Sequence, residues 1–190
     1  MKRKLRVGVF SFTCCEGCCI SVIESLNSRL EGWRDVVEFV NFRALKKVRK
    51  IGAMDVAFVE GAVSTADERM KLAEIRENAK VVVALGSGAI NGWPSNLRNG
   101  FEGEKKERVM KLVRSLDQLE KIVPIKEVIS VDDEIAGCPV SEEDFAERLE
   151  SLILAKGLLL KKKKKKVVTK KKKVVARKKK VVKIKRKKYE

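Results

Sequence analysis

Met54-Asp55-Val56-Ala57-Phe58-Val59-Glu60-Gly61, followed by Ser64-Thr65-Ala66-Asp67-Glu68, decides how this chain folds. The first run reads as a buried strand that ends at a glycine. Thr65, with Glu68 three residues on, fits a capping box and starts a helix. The inner face of that helix is expected at Met70 and Ala73. Lys80–Leu85 is a further strand, broken at Gly86-Ser87-Gly88. Strand, helix and strand in succession are the unit of an α/β sheet.

The same alternation extends outward. Leu5–Phe12, Val36–Phe42 and the short run Glu127–Val131 are strand-like. Ile20, Ile23, Leu26 and Leu30 recur at helical spacing, as do Val109, Leu112, Val113 and Leu116 within Lys105–Leu119. Ser141-Glu142-Glu143-Asp144 caps a last helix that runs to about Ala155 and stops at Gly157. Chain breaks follow four strands, at the cysteine turn, Gly61, Gly86 and Gly137. In an open parallel sheet these turns share the carboxyl edge, where ligand sites form.

Four of the five cysteines lie in Cys14-Cys15-Glu16-Gly17-Cys18-Cys19, and the fifth in Gly137-Cys138-Pro139. Adjacent cysteines close no loops, so a disulfide scaffold is excluded and a reducing compartment is expected. Cys15-x-x-Cys18 alone is ambiguous between zinc, a redox dithiol and an iron–sulfur cluster. The single distant cysteine disfavours a two-knuckle zinc site, and the flanking Cys14 and Cys19 disfavour a thioredoxin-like dithiol. Iron–sulfur fits best, because a ligand cysteine before proline recurs there. Cys14 and Cys19 also read as small buried hydrophobes. The chain has no histidine, which excludes histidine-dependent catalysis and histidine-held zinc.

The net charge of +18 is local. Residues 161–190 hold 19 of the 44 Lys and Arg and one of the 26 Asp and Glu, leaving 25 basic and 25 acidic residues before them. Residues 1–158 are expected to form one domain, and 159–190 a low-complexity basic tail, disordered or partner-bound. Val-Val pairs recur in the tail every seven residues. It suits an acidic partner, an anionic membrane surface or nucleic acid, each bound in a salt-dependent way. No signal core and no apolar run of about 20 residues appears, so a cytoplasmic protein is expected, with the inner membrane face as a peripheral option.

Five pieces, in order, carry a resemblance: Cys15-Glu16-Gly17-Cys18 with Ile23-Glu24, Val59-Glu60-Gly61-Ala62-Val63-Ser64-Thr65, Ala84-Leu85-Gly86-Ser87-Gly88-Ala89, Pro94-Ser95-Asn96-Leu97-Arg98-Asn99, and Gly137-Cys138-Pro139-Val140. Over about residues 5–155 the chain resembles the small, delta-type subunit of nickel–iron hydrogenases and sulfhydrogenases, related to the 20 kDa iron–sulfur subunit of respiratory complex I. The resemblance implies a flavodoxin-like open parallel sheet with helices on both faces. It implies a proximal [4Fe–4S] cluster, a nickel–iron-type large subunit as partner, and further electron-transfer subunits. The role it implies is electron relay without bond chemistry of its own. By the same resemblance Cys15, Cys18 and Cys138 are ligands, whereas Gly88 stands where the family has its third cysteine. The fourth place falls to Cys14 or Cys19, to Glu16 or water, to a [3Fe–4S] form, or to no cluster at all. In that last case the chain is a scaffold subunit acting through its tail.

Glu60 is expected either at the partner interface or proton path, or as a helix cap or salt-bridge partner. Arg98 faces a partner carboxylate, the cluster or solvent. Trp33 is a packing residue, and Trp93 lies at an interface. Gly86 and Gly88 complete no nucleotide fingerprint, because position 91 is Asn91.

Overall fold

The computed structural model describes residues 4–45, 47 and 50–158. The expectations for the basic tail therefore lie outside the described residues. Strands β1 (Leu5–Ser11), β2 (Val37–Phe42), β3 (Met54–Glu60), β4 (Ala79–Leu85) and β5 (Asp133–Ile135) form one sheet in the order β2-β1-β3-β4-β5. Every pairing is parallel. Helices α1 (Gly17–Trp33), α2 (Ala66–Asn78), α3 (Gly86–Asn91), α4 (Gly103–Ser115) and α5 (Glu142–Ala155), with 3₁₀ turns at Ser95–Gly100 and Ile125–Glu127, complete the described elements.

The sheet separates two apolar layers because strand side chains alternate between faces. On one face Val7, Val9, Phe58 and Leu85 pack with Val22, Leu26 and Trp33 of α1 and Phe145, Leu149 and Ile153 of α5. On the other, Phe10, Ala57, Val59 and Val82 pack with Leu72 and Ile75 of α2, Ala89 of α3 and Ile125. β3 is buried along its whole length, as a central parallel strand with both faces covered should be. The expected open sheet with helices on both faces is what the chain forms.

Three helix faces and one strand differ from the sequence reading. Ile20 and Leu30 are about half exposed, while the inward ridge of α1 runs through Cys18, Cys19, Val22, Leu26 and Trp33. The helix begins at Gly17, and its first turn is anchored so that Cys18 and Cys19 point inward. Met70 of α2 is exposed, and Leu72 and Ile75 are buried instead. Leu112 and Leu116 are exposed, leaving Val113 as the buried residue of α4. In each case an apolar spacing compatible with two faces was resolved by packing. Residues 127–131 form no strand: a 3₁₀ turn covers Ile125–Glu127, and the fifth strand is Asp133–Ile135. Ile125 and Ile129 fill the core from a turn, so their burial mimics a strand signal. Gly86-Ser87-Gly88 is the first turn of α3 rather than an open break.

Asp55 anchors the amino end of β3. It accepts from the Arg6 backbone N–H at 2.9 Å and pairs with Lys80 at 3.2 Å and with Lys156 beyond α5. These contacts, with desolvation opposing them, hold its carboxyl at about 2. No helix of the described residues is long and apolar enough to cross a membrane.

Candidate functional site

The turn between β1 and α1 carries the four clustered cysteines. Glu16 precedes the helix in a left-handed conformation, with φ 61°, and gives α1 no side-chain cap. The capping oxygens come from another strand. Glu60, at the end of β3, accepts from the Cys18 N–H through Oε1 and from the Cys19 N–H through Oε2, both at 3.0 Å. A carboxylate on the first-turn N–H groups satisfies donors the helix cannot, and meets the positive end of its dipole. Glu60 is 3% exposed. It is thus a helix cap, reached across the sheet, and it fixes where both cysteines point.

The turn after β5 closes on the same place. Gly86 lies against both turns: a Cβ built on it would meet Cys18 Sγ at 2.5 Å and the Gly137 carbonyl oxygen at 3.3 Å. A Cβ built on Gly17 would lie 3.4 Å from Cys15 Sγ and 3.5 Å from Pro139 Cβ. The Gly137 carbonyl accepts from the Ser87 N–H at 2.8 Å and from its hydroxyl at 3.1 Å, locking this turn to the start of α3. Cys15 and Cys138 are exposed and Cys18 is buried. The structure therefore brings the turns of Cys15, Cys18 and Cys138 together over about 120 residues of chain. Among the described residues, no three Cys, Asp or Glu side chains are yet arranged to hold a metal ion.

Gly86 was read as a strand-end break, and its closeness to Cys18 was not foreseen. A Cβ there would meet Cys18 Sγ at 2.5 Å, and its φ of +80° also excludes most side chains. The sequence signal was present, as a glycine directly at a strand end. Gly88 has no thiol to offer, and a Cβ on it would approach the Gly61 Cα at 3.2 Å. Gly61 in turn abuts Cys14, whose Cβ lies 3.0 Å from a Cβ built on Gly61. Cys14 and Gly88 thus both abut Gly61. Cys19 turns the other way, into the core, with its sulfur 3.2 Å from the Ser11 hydroxyl.

Burial dominates the chemistry of the inner thiols. It pushes Cys14 up to about 12, against the Glu16 N–H that favours the thiolate. It pushes Cys18 up to about 11, against the Val140 N–H. Cys19 is raised as well, chiefly by burial and further by Glu60. In the metal-free chain these three are neutral thiols at pH 7.

Arg98 is half-buried and held within the chain. Its Nη1 donates to Gln118 Oε1 at 2.8 Å and its Nη2 to the Leu119 carbonyl at 2.6 Å, while Asn99 and Ile122 exchange two hydrogen bonds. This segment braces the connection after α4. Burial lowers the pKa of Arg98, and its Nε has no partner. Trp33 is a core residue whose indole N–H donates to Glu150. Trp93 and Leu97 are exposed.

The model of the NADH ubiquinone oxidoreductase 20 kDa subunit matches residues 15–152, from the first of these turns to α5. The chain belongs to this family. Among curated relatives, the coenzyme F420 hydrogenase subunit gamma of Methanosarcina barkeri is 32% identical over 145 residues, covering 75% of this chain and 52% of that protein. The sulfhydrogenase 2 subunit delta of Pyrococcus furiosus is 28% identical, covering 81% of this chain and 63% of that one. The chain thus spans about half the length of the first of these relatives. Among solved structures, a chain of an NAD+-reducing [NiFe]-hydrogenase in the H2-reduced state superposes with a TM-score of 0.72 at 28% identity, over 84% of this chain and 95% of that one. A [NiFeSe] hydrogenase from Desulfovibrio vulgaris Hildenborough shares the fold, with a TM-score of 0.56 at 15% identity over 80% of this chain and 59% of that one.

Proposed function

We propose that this chain is the iron–sulfur electron-transfer subunit of a nickel–iron hydrogenase-like complex, working in the cytoplasm beside a large subunit. Cys15, Cys18 and Cys138 hold the iron. The observation that carries this reading is the closure of the Gly137-Cys138-Pro139 turn on the cysteine turn, through Gly86 between Cys18 and Gly137 and through Gly17 between Cys15 and Pro139. The donor set fits a thiolate-held cluster on three sides and lacks a donor at Gly88. A bound cluster would supply one-electron transfer. The chain's own residues orient the thiols through Glu60, leave room for Cys18 at Gly86, and keep the Cys18 side dry. The exposed Trp93 and Leu97, in the loop that follows α3, suit contact with the large subunit.

Cys14 is the replacement ligand this geometry supports. It abuts Gly61, as Gly88 does, whereas Cys19 is held in the core by Ser11. Anaerobic purification with co-purifying partners, iron and sulfide analysis, and electron paramagnetic resonance test the proposal. About four irons per chain, with a signal on dithionite reduction, are expected. Cys14→Ser should then yield about three irons with a signal in the oxidised state, and Cys19→Ser should retain four. About three irons in the unaltered chain would leave the Gly88 side without a ligand. No iron in a folded, partner-bound chain would sink the relay and leave a scaffold subunit.

A further inference from the structure

A second site lies away from the cysteines. The connection from β2 to β3 carries no helix among the described residues, so the sheet face over β1 and β2 beside α2 lacks a helical cover. A cavity of about 330 Å³ opens there, lined by Phe10, Ser11, Asn41, Arg43, Lys50, Lys71 and Glu74 among others. The register pairs Asn41 with Gly8, after a bulge in β2, and so puts Asn41 on the face that carries Phe10. That face is otherwise apolar. Asn41 is 9% exposed, and among the described residues its side-chain amide has no hydrogen-bond partner. The amide is not sealed from water, since Arg98 Nε is the one fully buried polar side-chain atom without a partner among the described residues, and it offers the cavity a donor and an acceptor.

The charge at the cavity wall has one dominant sign. Arg43, Lys50 and Lys71 face it with a single carboxylate, Glu74. None of the three cations has an ion-pair partner among the described residues. Lys71 has only the Phe12 ring, 5.6 Å from its ammonium. Unpaired cations around a concave site concentrate anions, and a guanidinium matches a phosphate in particular. The volume lies at the small end of the range for small-molecule sites.

We propose that this cavity binds the phosphate group of a small molecule, with Arg43 and Lys71 on the phosphate and the Asn41 amide on a neighbouring oxygen. Lys50 supplies long-range attraction, and Glu74 limits affinity for more highly charged anions. The site is independent of the cluster, so its failure leaves the electron-transfer reading untouched.

The test is a titration of the full-length, nitrogen-15-labelled chain with adenosine 5′-monophosphate and, separately, with inorganic phosphate at constant ionic strength. Saturable shifts of the Asn41 side-chain amide and the Ser11 backbone amide are expected. Arg43→Gln and Lys71→Gln, both at exposed positions, should each weaken binding about tenfold. Glu74→Gln should tighten it a few-fold, a gain that a damaged fold cannot produce. Tighter binding of the nucleotide than of phosphate assigns a phosphomonoester, and equal binding assigns the free anion. Shifts confined to the lysines of residues 161–190, or binding unchanged in both Gln variants, would overturn the site.

Discussion

Two buried carboxylates stand at opposite ends of β3, and they are satisfied in opposite ways. Asp55, at the amino edge, is matched by Lys80, Lys156 and one backbone N–H. Glu60, at the carboxyl edge, has two backbone N–H groups from the first turn of α1. The amino edge is neutralised by ions and holds the sheet to α5. The carboxyl edge uses a helix terminus, left-handed residues at Glu16, Gly61, Gly86 and Gly137, and three neutral thiols, two of them buried. Such strain and unpaired chemistry collect at functional sites. One edge is built for stability and the other to present sulfur.

The largest expected effect breaks the carboxyl edge. Glu60→Leu orphans two buried N–H groups and should cost about 3 kcal/mol in denaturant unfolding of the iron-free chain, with Glu60→Gln recovering part of it. A loss below about 1 kcal/mol would mean that the first turn of α1 holds itself. Gly86→Ala should cost about 2–3 kcal/mol, from its left-handed backbone and the collision with Cys18. Gly157→Ala, also left-handed but with open space around it, should cost only about 1 kcal/mol. Equal costs at the two glycines would remove any special closeness at Cys18.

Asp55→Asn tests the amino edge and should cost about 2 kcal/mol at pH 7. The folded carboxyl titrates at about 2, below its ordinary value. Its stabilisation is therefore present above about pH 5 and is lost as pH falls towards 2. Asp132, also lowered by the Val82 N–H and Arg76, acts in the same direction. The variant should flatten the acid limb of a stability–pH curve, and an unchanged limb would shift the acid sensitivity elsewhere. The smallest effect is a gain. Glu16→Gly relieves a left-handed L-residue and should stabilise the iron-free chain by about 0.5 kcal/mol in the same unfolding assay. A loss there would show that the Glu16 side chain contributes more than its backbone costs.

Local chemistry was legible in the sequence. The Thr65–Glu68 capping box forms as read, with both hydrogen bonds present. β3 has the bounds expected, and the Ser141 cap and Gly157 stop frame α5. Helix faces were less legible, because Ile20, Leu30, Met70 and Leu112 fit a helical period without fixing which side meets the sheet. In the candidate site, the cysteine turn and Gly137-Cys138-Pro139 were visible as motifs, but Glu60 reaching Cys18 and Cys19 from 41–42 residues away was only one of several readings.

By itself, the sequence determined the alternation of strands and helices, the sulfur-rich turn, the lone distant cysteine before a proline and the absence of histidine. Those are properties of residue type and short-range spacing, which propensity, capping and covalent chemistry govern. Only the tertiary structure decided that Glu60 caps α1, that Gly86 makes room for Cys18, that Cys14 and Gly88 both abut Gly61, and that Asn41 borders a basic cavity. Each of these depends on which strand ends become neighbours and which face a helix turns inward. Packing of the whole sheet sets both, and no local window contains that information.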